Sequence, residues 1–397
     1  MISGAERINR INPFYVMELL ARARELERQG RHVVHMEIGE PDFPTPQRVI
    51  NAGMKAIRSG DVKYTPAMGL PELRSAIAAW YRKRYDVALS SDRIVVTPGA
   101  SGALLLALGA LVNPGDEIML GDPAYPCNRN FVCLFDGDPK LVPVDATTDF
   151  QLSCQLIQRN WTEKTCGALI ASPSNPTGTQ IAPTELKAIV RWIDARSGFL
   201  LSDEIYHGLE YDERAVSALE MTDNVFVINS FSKYFGMTGW RIGWLVVPDD
   251  WIERIEKLAQ NIFIAAPTHS QYAAVAAFDP ETEKETEERR CEFRRRRDYL
   301  HGQLLRLGFR IPSRPRGAFY IYADCSRFSR DSSRFATELL EEAAVAVTPG
   351  KDFGINAAEH YLRFAYTTSI ENLKEGVRRL EKFLDSRSRL SVDGAAD

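Results

Sequence analysis

Between Pro13 and Gln29, apolar side chains recur at Phe14, Met17, Leu19, Leu20, Ala23 and Leu26 among arginines and glutamates. That is a helical period, and Gly30 ends it. The following segment, Gly39-Glu40-Pro41-Asp42-Phe43-Pro44-Thr45-Pro46, is dense in turn formers. Its prolines fix the backbone direction, so it predicts a shaped loop rather than a flexible linker. From residue 93 onward, short β-rich runs alternate with helical stretches: Arg93 to Thr97, Glu117 to Leu120, Leu141 to Val144, Ala168 to Ala171, Phe199 to Ser202, Val225 to Asn229 and Gly243 to Val247. Several are apolar on both faces, as strands covered by helices on each side must be. The pattern predicts an α/β domain with a mostly parallel sheet. In such sheets a ligand sits beyond the carboxyl ends of the strands.

The charged stretch Glu281 to Arg306 opens with Asp279-Pro280, an N-cap and first-turn pair, and closes at Gly308, which predicts one long helix. Its cluster Arg294 to Arg297 is basic, but the charges before it alternate in sign and favour i,i+4 pairing on a solvated face over a nucleic-acid patch. Phe309 to Ala323, Ala344 to Val347 and Tyr361 to Ala365 predict strands, with a helix at Ser333 to Ala343 between them. These form a smaller α+β domain built from both chain ends: residues 1–48 join it, 49–290 make the large domain and 291–397 complete the small one. The tail after Ser386 is expected to fray.

A chain of 397 residues, 45% hydrophobic and 26% charged, has room for one large core and a smaller one. A net charge of -4 offers no general attraction to nucleic acid or to anionic membranes, so the ligand is expected to be small and any anion site local. Met1 to Arg10 lack the apolar run of a secretory signal, which points to the cytoplasm. The apolar stretch Ala103 to Val112 is about half of the roughly 20 residues that cross a bilayer. Six cysteines without C-x-x-C spacing, and histidines without H-x-x-x-H pairs, predict reduced, mostly buried thiols and no metal site.

The chemistry gathers just after the strand runs. Past the Val225 run stands Ser230-Phe-Ser232-Lys233, with Arg241 eight residues beyond the lysine. Most lysines are solvated on the surface. A lysine desolvated beside other cations instead becomes a nucleophile toward carbonyls, and Ser230, Ser232 and Arg241 are donors suited to a phosphate. The turn Thr97-Pro-Gly99-Ala100-Ser101-Gly102 leaves a strand and opens a helix, where free N–H groups and the helix dipole favour an anion; alone, it is also an ordinary tight turn. Asp203 follows the Phe199 run, where a carboxylate serves as an N-cap or as a partner for a buried cation. Asn175 follows the Ala168 run in Ser172-Pro-Ser-Asn175-Pro176-Thr177-Gly178, which alone is a turn signal.

Together, and in this order, S-x-S-K with an arginine eight residues on, D-E-x-Y and S-N-P-T-G resemble the class I and II aminotransferases, fold-type I enzymes that use pyridoxal 5′-phosphate (PLP). The resemblance covers nearly the whole chain, from Gly39-Glu-Pro-Asp-Phe to Tyr361-Leu-Arg363. It implies that Lys233 is the Schiff-base lysine and proton carrier, that Asp203 pairs with the pyridine nitrogen, and that Tyr206 and Asn175 reach the ring O3′. Tyr125 would stack on the ring. Ala100, Ser101, Ser230, Ser232 and Arg241 would hold the phosphate, joined by Tyr64 from the neighbouring subunit of a homodimer. Arg363 would grip the substrate α-carboxylate, assisted by Asn175 and the backbone at Gly39. The implied reaction exchanges an amino group between an L-amino acid and a 2-oxo acid. The same scaffold also serves C–S β-lyases, decarboxylases and ring-forming synthases, and more rarely regulators that bind PLP as a sensor. No arginine follows in Leu258 to Gln271, and Ser101 stands where a lysine would sit in relatives that favour dicarboxylic substrates. A neutral or aromatic donor is therefore expected, because an unpaired carboxylate in a dry pocket is costly.

Overall fold

The computed structural model describes residues 3–60 and 62–393, with side chains as far as Arg387. The chain begins with α1 (Tyr15–Arg28), β1 (Val34–His35), α2 (Gln47–Ser59) and α3 (Pro71–Tyr85). An alternating region follows: β2 (Ile94–Thr97), α4 (Gly99–Leu111), β3 (Glu117–Asp122), α5 (Pro126–Leu134), β4 (Asp138–Pro143), α6 (Cys154–Asn160), β5 (Thr165–Ala171), α7 (Pro183–Asp194) and β6 (Phe199–Asp203). Next come β7 (Phe226–Ser230), β8 (Gly243–Val246), α8 (Ile252–Ile262) and α9 (Thr268–Val275). The remainder comprises α10 (Pro280–Leu307), β9 (Tyr320–Asp324), α11 (Ser332–Ala343), β10 (Val345–Ala346), β11 (Thr348–Pro349), β12 (Tyr361–Ala365) and α12 (Ile370–Asp393).

All seven expected strands of the large domain lie in one sheet of order β2-β8-β7-β6-β5-β3-β4. Only β8 runs against its neighbours. Successive residues serve opposite faces: Leu169, Leu201, Ile228 and Leu245 pack with Leu106 and Ile255 on one side, and Ile170, Leu200, Val227 and Val246 join the larger core on the other. This double burial is why the runs are apolar throughout. Since β2, β3, β5, β6 and β7 share a direction, their carboxyl ends share one edge. β8 starts at that same edge, and there Gly243 leaves no room for a side chain. A Cβ would lie 2.8–2.9 Å from the backbone of Asn229, Gly99 and Ala100.

The chain ends meet as expected. β1 pairs with β10 in parallel, and β11, β12 and β9 form an antiparallel sheet. The Met36 carbonyl accepts from the Ala365 N–H at 2.7 Å. The expected division at residue 291 falls inside the continuous helix α10. Among the described residues no helix is long and apolar enough to cross a membrane.

Several expectations are corrected. The strand expected over Phe309 to Ala323 shrinks to β9, because Pro312 and Pro315 lack the N–H that a ladder needs. Of the strand expected over Ala344 to Val347 only Val345–Ala346 forms, as β10, and the next short strand, β11, begins beyond it at Thr348 and pairs in a different sheet. Asp279 stands at the N-cap of α10, but its side chain makes no capping bond. Arg296 and Arg297 are buried, not solvated. They pair with Asp42 and Glu292, and with Asp212 and Asp298. All six cysteines are free, yet only Cys133 and Cys325 are buried. The tail past Ser386 continues as helix to Asp393, held in part by Arg387, which pairs with Glu338 and lies over Phe383. Residues 394–397 lie outside the described residues.

Gly243→Ala is expected to destabilise the chain by about 1–3 kcal/mol, measured by urea unfolding, since the atoms it meets are backbone and cannot rotate away. A loss below about 0.5 kcal/mol would mean that β8 and the start of α4 shift apart freely.

Candidate active site

At the shared strand edge lies a cleft of about 470 Å³. Lys233, Asp203, Tyr206, Asn175, Tyr125, Ala100, Ser101, Ser230, Ser232, Arg241, Arg363 and Gly39 all line it. Parallel strands bring them together: β2 delivers Ala100 and Ser101, β3 Tyr125, β5 Asn175, β6 Asp203 and Tyr206, and β7 the serines and Lys233. Tyr64 does not reach the cleft within its own chain. It stands 81% exposed on a surface with Ala265 to Thr268.

The Lys233 ammonium donates to the Gly39 carbonyl at 2.8 Å. Loss of water lowers its pKa from 10.5 to about 8, and the charges of Arg363 and Arg241 push the same way against the pull of Glu40 and Asp203. Burial raises the Asp203 carboxyl to about 6, although the Ile205 N–H at 3.2 Å and Lys233 hold it back. The Ser230 hydroxyl donates to that of Ser232 at 2.9 Å. Arg241 donates to the Thr238 carbonyl at 2.9 Å and takes a left-handed backbone conformation (φ 52°). Its guanidinium lies over Gly99, where a Cβ would be 2.6 Å from Nη2.

Arg363 is 4% exposed. Nη1 donates to Asn175 Oδ1 at 2.9 Å, and Nη2 donates to the Glu37 carbonyl and to the Thr348 hydroxyl. Its Nε is buried without a partner. Tyr320 lies under the guanidinium at 4.3 Å and joins its hydroxyl to that of Tyr206 at 2.9 Å. Gly39 makes this approach possible, since a Cβ there would fall 1.8 Å from the Tyr320 hydroxyl.

Tyr320, Asn128 and His207 were not singled out in the sequence. Tyr320 is one aromatic among several on β9, with no local mark. Asn128 lies one helical turn past Tyr125, a spacing that would have placed it beside the same edge. It is 1% exposed, draws the Asp203 carboxyl down, and has no hydrogen bond of standard geometry at either amide atom. Buried His207 donates from Nε2 to the Ser172 carbonyl at 2.9 Å, and Nδ1 accepts from the Tyr85 hydroxyl at 2.6 Å. Burial, aided by Arg84, lowers its pKa to about 3, so it ties the Asn175 and Asp203 turns as a neutral ring.

This donor set fits PLP. Asp203 is a buried carboxylate beside the Ile205 N–H and Asn128 and without an ion pair among the described residues, which suits a partner for a protonated ring nitrogen. Two hydroxyls, an arginine and the start of α4 face the cleft together, which suits a dianionic phosphate.

Gly39→Ala is expected to lower kcat/KM for an amino donor at least tenfold, about 1.4 kcal/mol, with the fold retained by circular dichroism. Tyr320→Phe in that background should restore part of the loss, because it removes the atom in closest contact. Strictly additive effects of the two changes would contradict this coupling.

Residues 31–380 match the family model described as aminotransferase class I and II. A valine–pyruvate aminotransferase of Mycobacterium tuberculosis is 38% identical over 95% of this chain and 97% of its own. The crystal structure of an aminotransferase from Mycobacterium tuberculosis superposes with a TM-score of 0.94 at 37% identity, covering 97% of this chain and all of that one. The aspartate aminotransferase of Thermus thermophilus with maleate gives 0.91 at 34%, covering 96% and 100%. The match extends over nearly the whole chain, and the chain belongs to the class I and II aminotransferases: it is a PLP-dependent transaminase.

Proposed function

We propose that this aminotransferase takes its amino group from a neutral or aromatic L-amino acid and works as a homodimer in the cytoplasm. The carrying observation is that Lys233, Asp203 and Arg363 face one cleft, with the Arg363 Nε buried and unpaired. Bound PLP supplies a ring that withdraws electrons from the substrate Cα. Lys233 would hold the cofactor's aldehyde carbon and, once released, take the proton from Cα; a pKa near 8 keeps a useful share of it neutral at working pH. Asp203 would keep the ring nitrogen protonated. Tyr125 would stack on the ring, and Tyr206 and Asn175 would reach its O3′. The serines, Arg241 and the backbone at Ala100 and Ser101 would hold the phosphate. Arg363, with Asn175 and the backbone at Gly39, would clamp the α-carboxylate and so fix the direction of the Cα–H bond.

The donor preference rests on the cleft's outer wall, where Phe14, Val16, Met17 and Leu20 present apolar surface. The name of the valine–pyruvate relative agrees with it; that of the aspartate relative does not. The dimer is supported by exposed apolar side chains on and after α2, Met54, Ile57, Val62 and Tyr64, with Val62 and Tyr64 lining one surface with Ala265 to Thr268, where Thr268 bonds the Lys63 carbonyl. Six free thiols favour a reducing compartment. In the two-domain reading, residues 1–48 and 291–397 form the small domain against 49–290, and α10 spans the join.

With the 2-oxo acid held constant, kcat/KM for alanine, methionine and phenylalanine should exceed that for aspartate. A value for aspartate tenfold above the others, or release of ammonia and pyruvate in place of amino exchange, would overturn the reading. Mixing Tyr64→Ala with Lys233→Ala chains should yield heterodimers with one sound site, more active per intact Lys233 than the Tyr64→Ala homodimer. Absence of any gain would mean that Tyr64 does not act across the interface.

A further inference from the structure

The turn 353–356 connects β11 to β12 of the small sheet, yet it is fastened to the edge of the large one. β3 ends at Asp122, which is 2% exposed. Its carboxylate accepts from the Ile355 N–H at 3.1 and 3.2 Å and from the Asn356 N–H at 3.2 Å. The Asn356 amide donates in turn to the Asp122 and Val144 carbonyls at 3.4 and 3.2 Å, and the Ala124 N–H donates to the Phe353 carbonyl at 3.0 Å. Gly354 permits this approach, since a Cβ there would overlap the Asp122 carboxylate. Asp122 forms no ion pair among the described residues, and Arg129 acts on it through its charge. A buried carboxylate held by backbone N–H groups alone binds them with charge assistance. Its loss would strip both N–H groups of their acceptor.

The fastened turn carries a ring into the substrate clamp. Phe353, beside Gly354, is buried, and its ring centre lies 4.7 Å from the Arg363 guanidinium, which also packs on Tyr320 at 4.3 Å. Hydrogen bonds hold Nη1 and Nη2 of Arg363 but leave Nε without a partner. The two rings therefore restrict the plane of the guanidinium where hydrogen bonds do not. A bidentate grip on a carboxylate depends on that plane.

We propose that Asp122 is a positioning residue for substrate binding: it anchors the turn 353–356 to the end of β3 and thereby sets the Phe353 ring that orients Arg363. This rests on the reading of Arg363 given above. Asp122 touches neither the substrate nor the cofactor in this role, and its effect passes through one aromatic side chain. Its removal is therefore felt in the binding of the α-carboxylate before it is felt in the chemical step.

The test uses the holoenzyme, with alanine as donor at a fixed 2-oxo acid and butyrate as an inert carboxylate whose Kd is measured by calorimetry. Asp122→Ala should raise the Kd for butyrate and the KM for alanine roughly tenfold while kcat changes less, the pattern of lost ground-state binding. Asp122→Asn, which keeps one acceptor oxygen, should raise both by less. Gly354→Ala displaces the carboxylate by a different route and should reproduce the rise, so the test stands even where Asp122→Ala does not fold. Phe353→Leu should weaken butyrate by itself, and adding Asp122→Asn to it should cost little more, because the two changes act through the same ring. Strictly additive effects, a loss confined to kcat, or a Kd within about twofold of the parent in the Asp122 and Gly354 variants would overturn the proposal. Arg363→Lys separates the two readings. If butyrate binds to it as to the parent, the assignment of Arg363 fails and this proposal with it; if butyrate is weakened there but not in the Asp122 variants, the role of Asp122 alone is overturned.

Discussion

Everything about the cleft depends on a guanidinium buried among neutral acceptors. Arg363 sits on the middle strand of the small sheet, yet its bonds go to Asn175 on the large sheet's edge, to the Glu37 carbonyl in the N-terminal segment and to Thr348. No described carboxylate forms an ion pair with it. A cation in that state carries a desolvation cost of several kcal/mol that dipoles only partly offset, and the unpaired Nε adds to it. The fold tolerates this because three separate parts of the chain converge on the group and hold it. An anionic ligand relieves the cost on arrival. The same contact that joins the two sheets therefore creates the demand for a carboxylate.

Gly39 and Tyr320 show how narrowly that junction is built. The N-terminal loop passes so close to β9 that a single methyl group would collide with the Tyr320 hydroxyl. The loop is held from outside as well: Arg296 pairs with Asp42 and lies over Phe43 at 4.9 Å, and Trp240 donates to the Thr45 hydroxyl at 3.0 Å. Three prolines limit its freedom before any of these contacts form. Its carbonyl at Gly39 can then meet the Lys233 amine without waiting for a ligand to order it.

Much of this was legible in the chain because the sheet is buried on both faces. Strands such as Val225 to Asn229 stand out when both sides must be apolar, and the polar residues at their ends then become conspicuous: Asp203, Asn175, Ser230 and Lys233 each interrupt or follow such a run. What stayed hidden depends on contacts between distant segments. Nothing near Tyr320 marks it from the other aromatics of β9, since its role comes from a glycine in the N-terminal loop. Arg296 and Arg297 look like members of a charged helical face, and only the arrival of Asp42 and Asp212 from elsewhere explains why they are buried. Pro312 and Pro315 were visible but outweighed by the apolar residues around them. Tyr64 stands exposed in its own chain, away from the cleft.

The charges of the cleft complete the picture. The whole chain is acidic, at -4, and offers no long-range pull on an anion. Within the cleft, however, four cationic side chains face three carboxylates, Glu37, Glu40 and Asp203, and Glu37 is already engaged by His35. Burial raises Asp203 to about 6 and lowers Lys233 to about 8, so both lie closer to neutrality than they would in water. A protonated ring nitrogen beside Asp203 would stabilise its charged form and bring its pKa down again, by the opposite-charge rule. The removal of water that makes Lys233 a usable base therefore also makes Asp203 dependent on a cationic partner. The two shifts have one cause, and a cofactor carrying both an electrophilic carbon and a basic nitrogen satisfies them together.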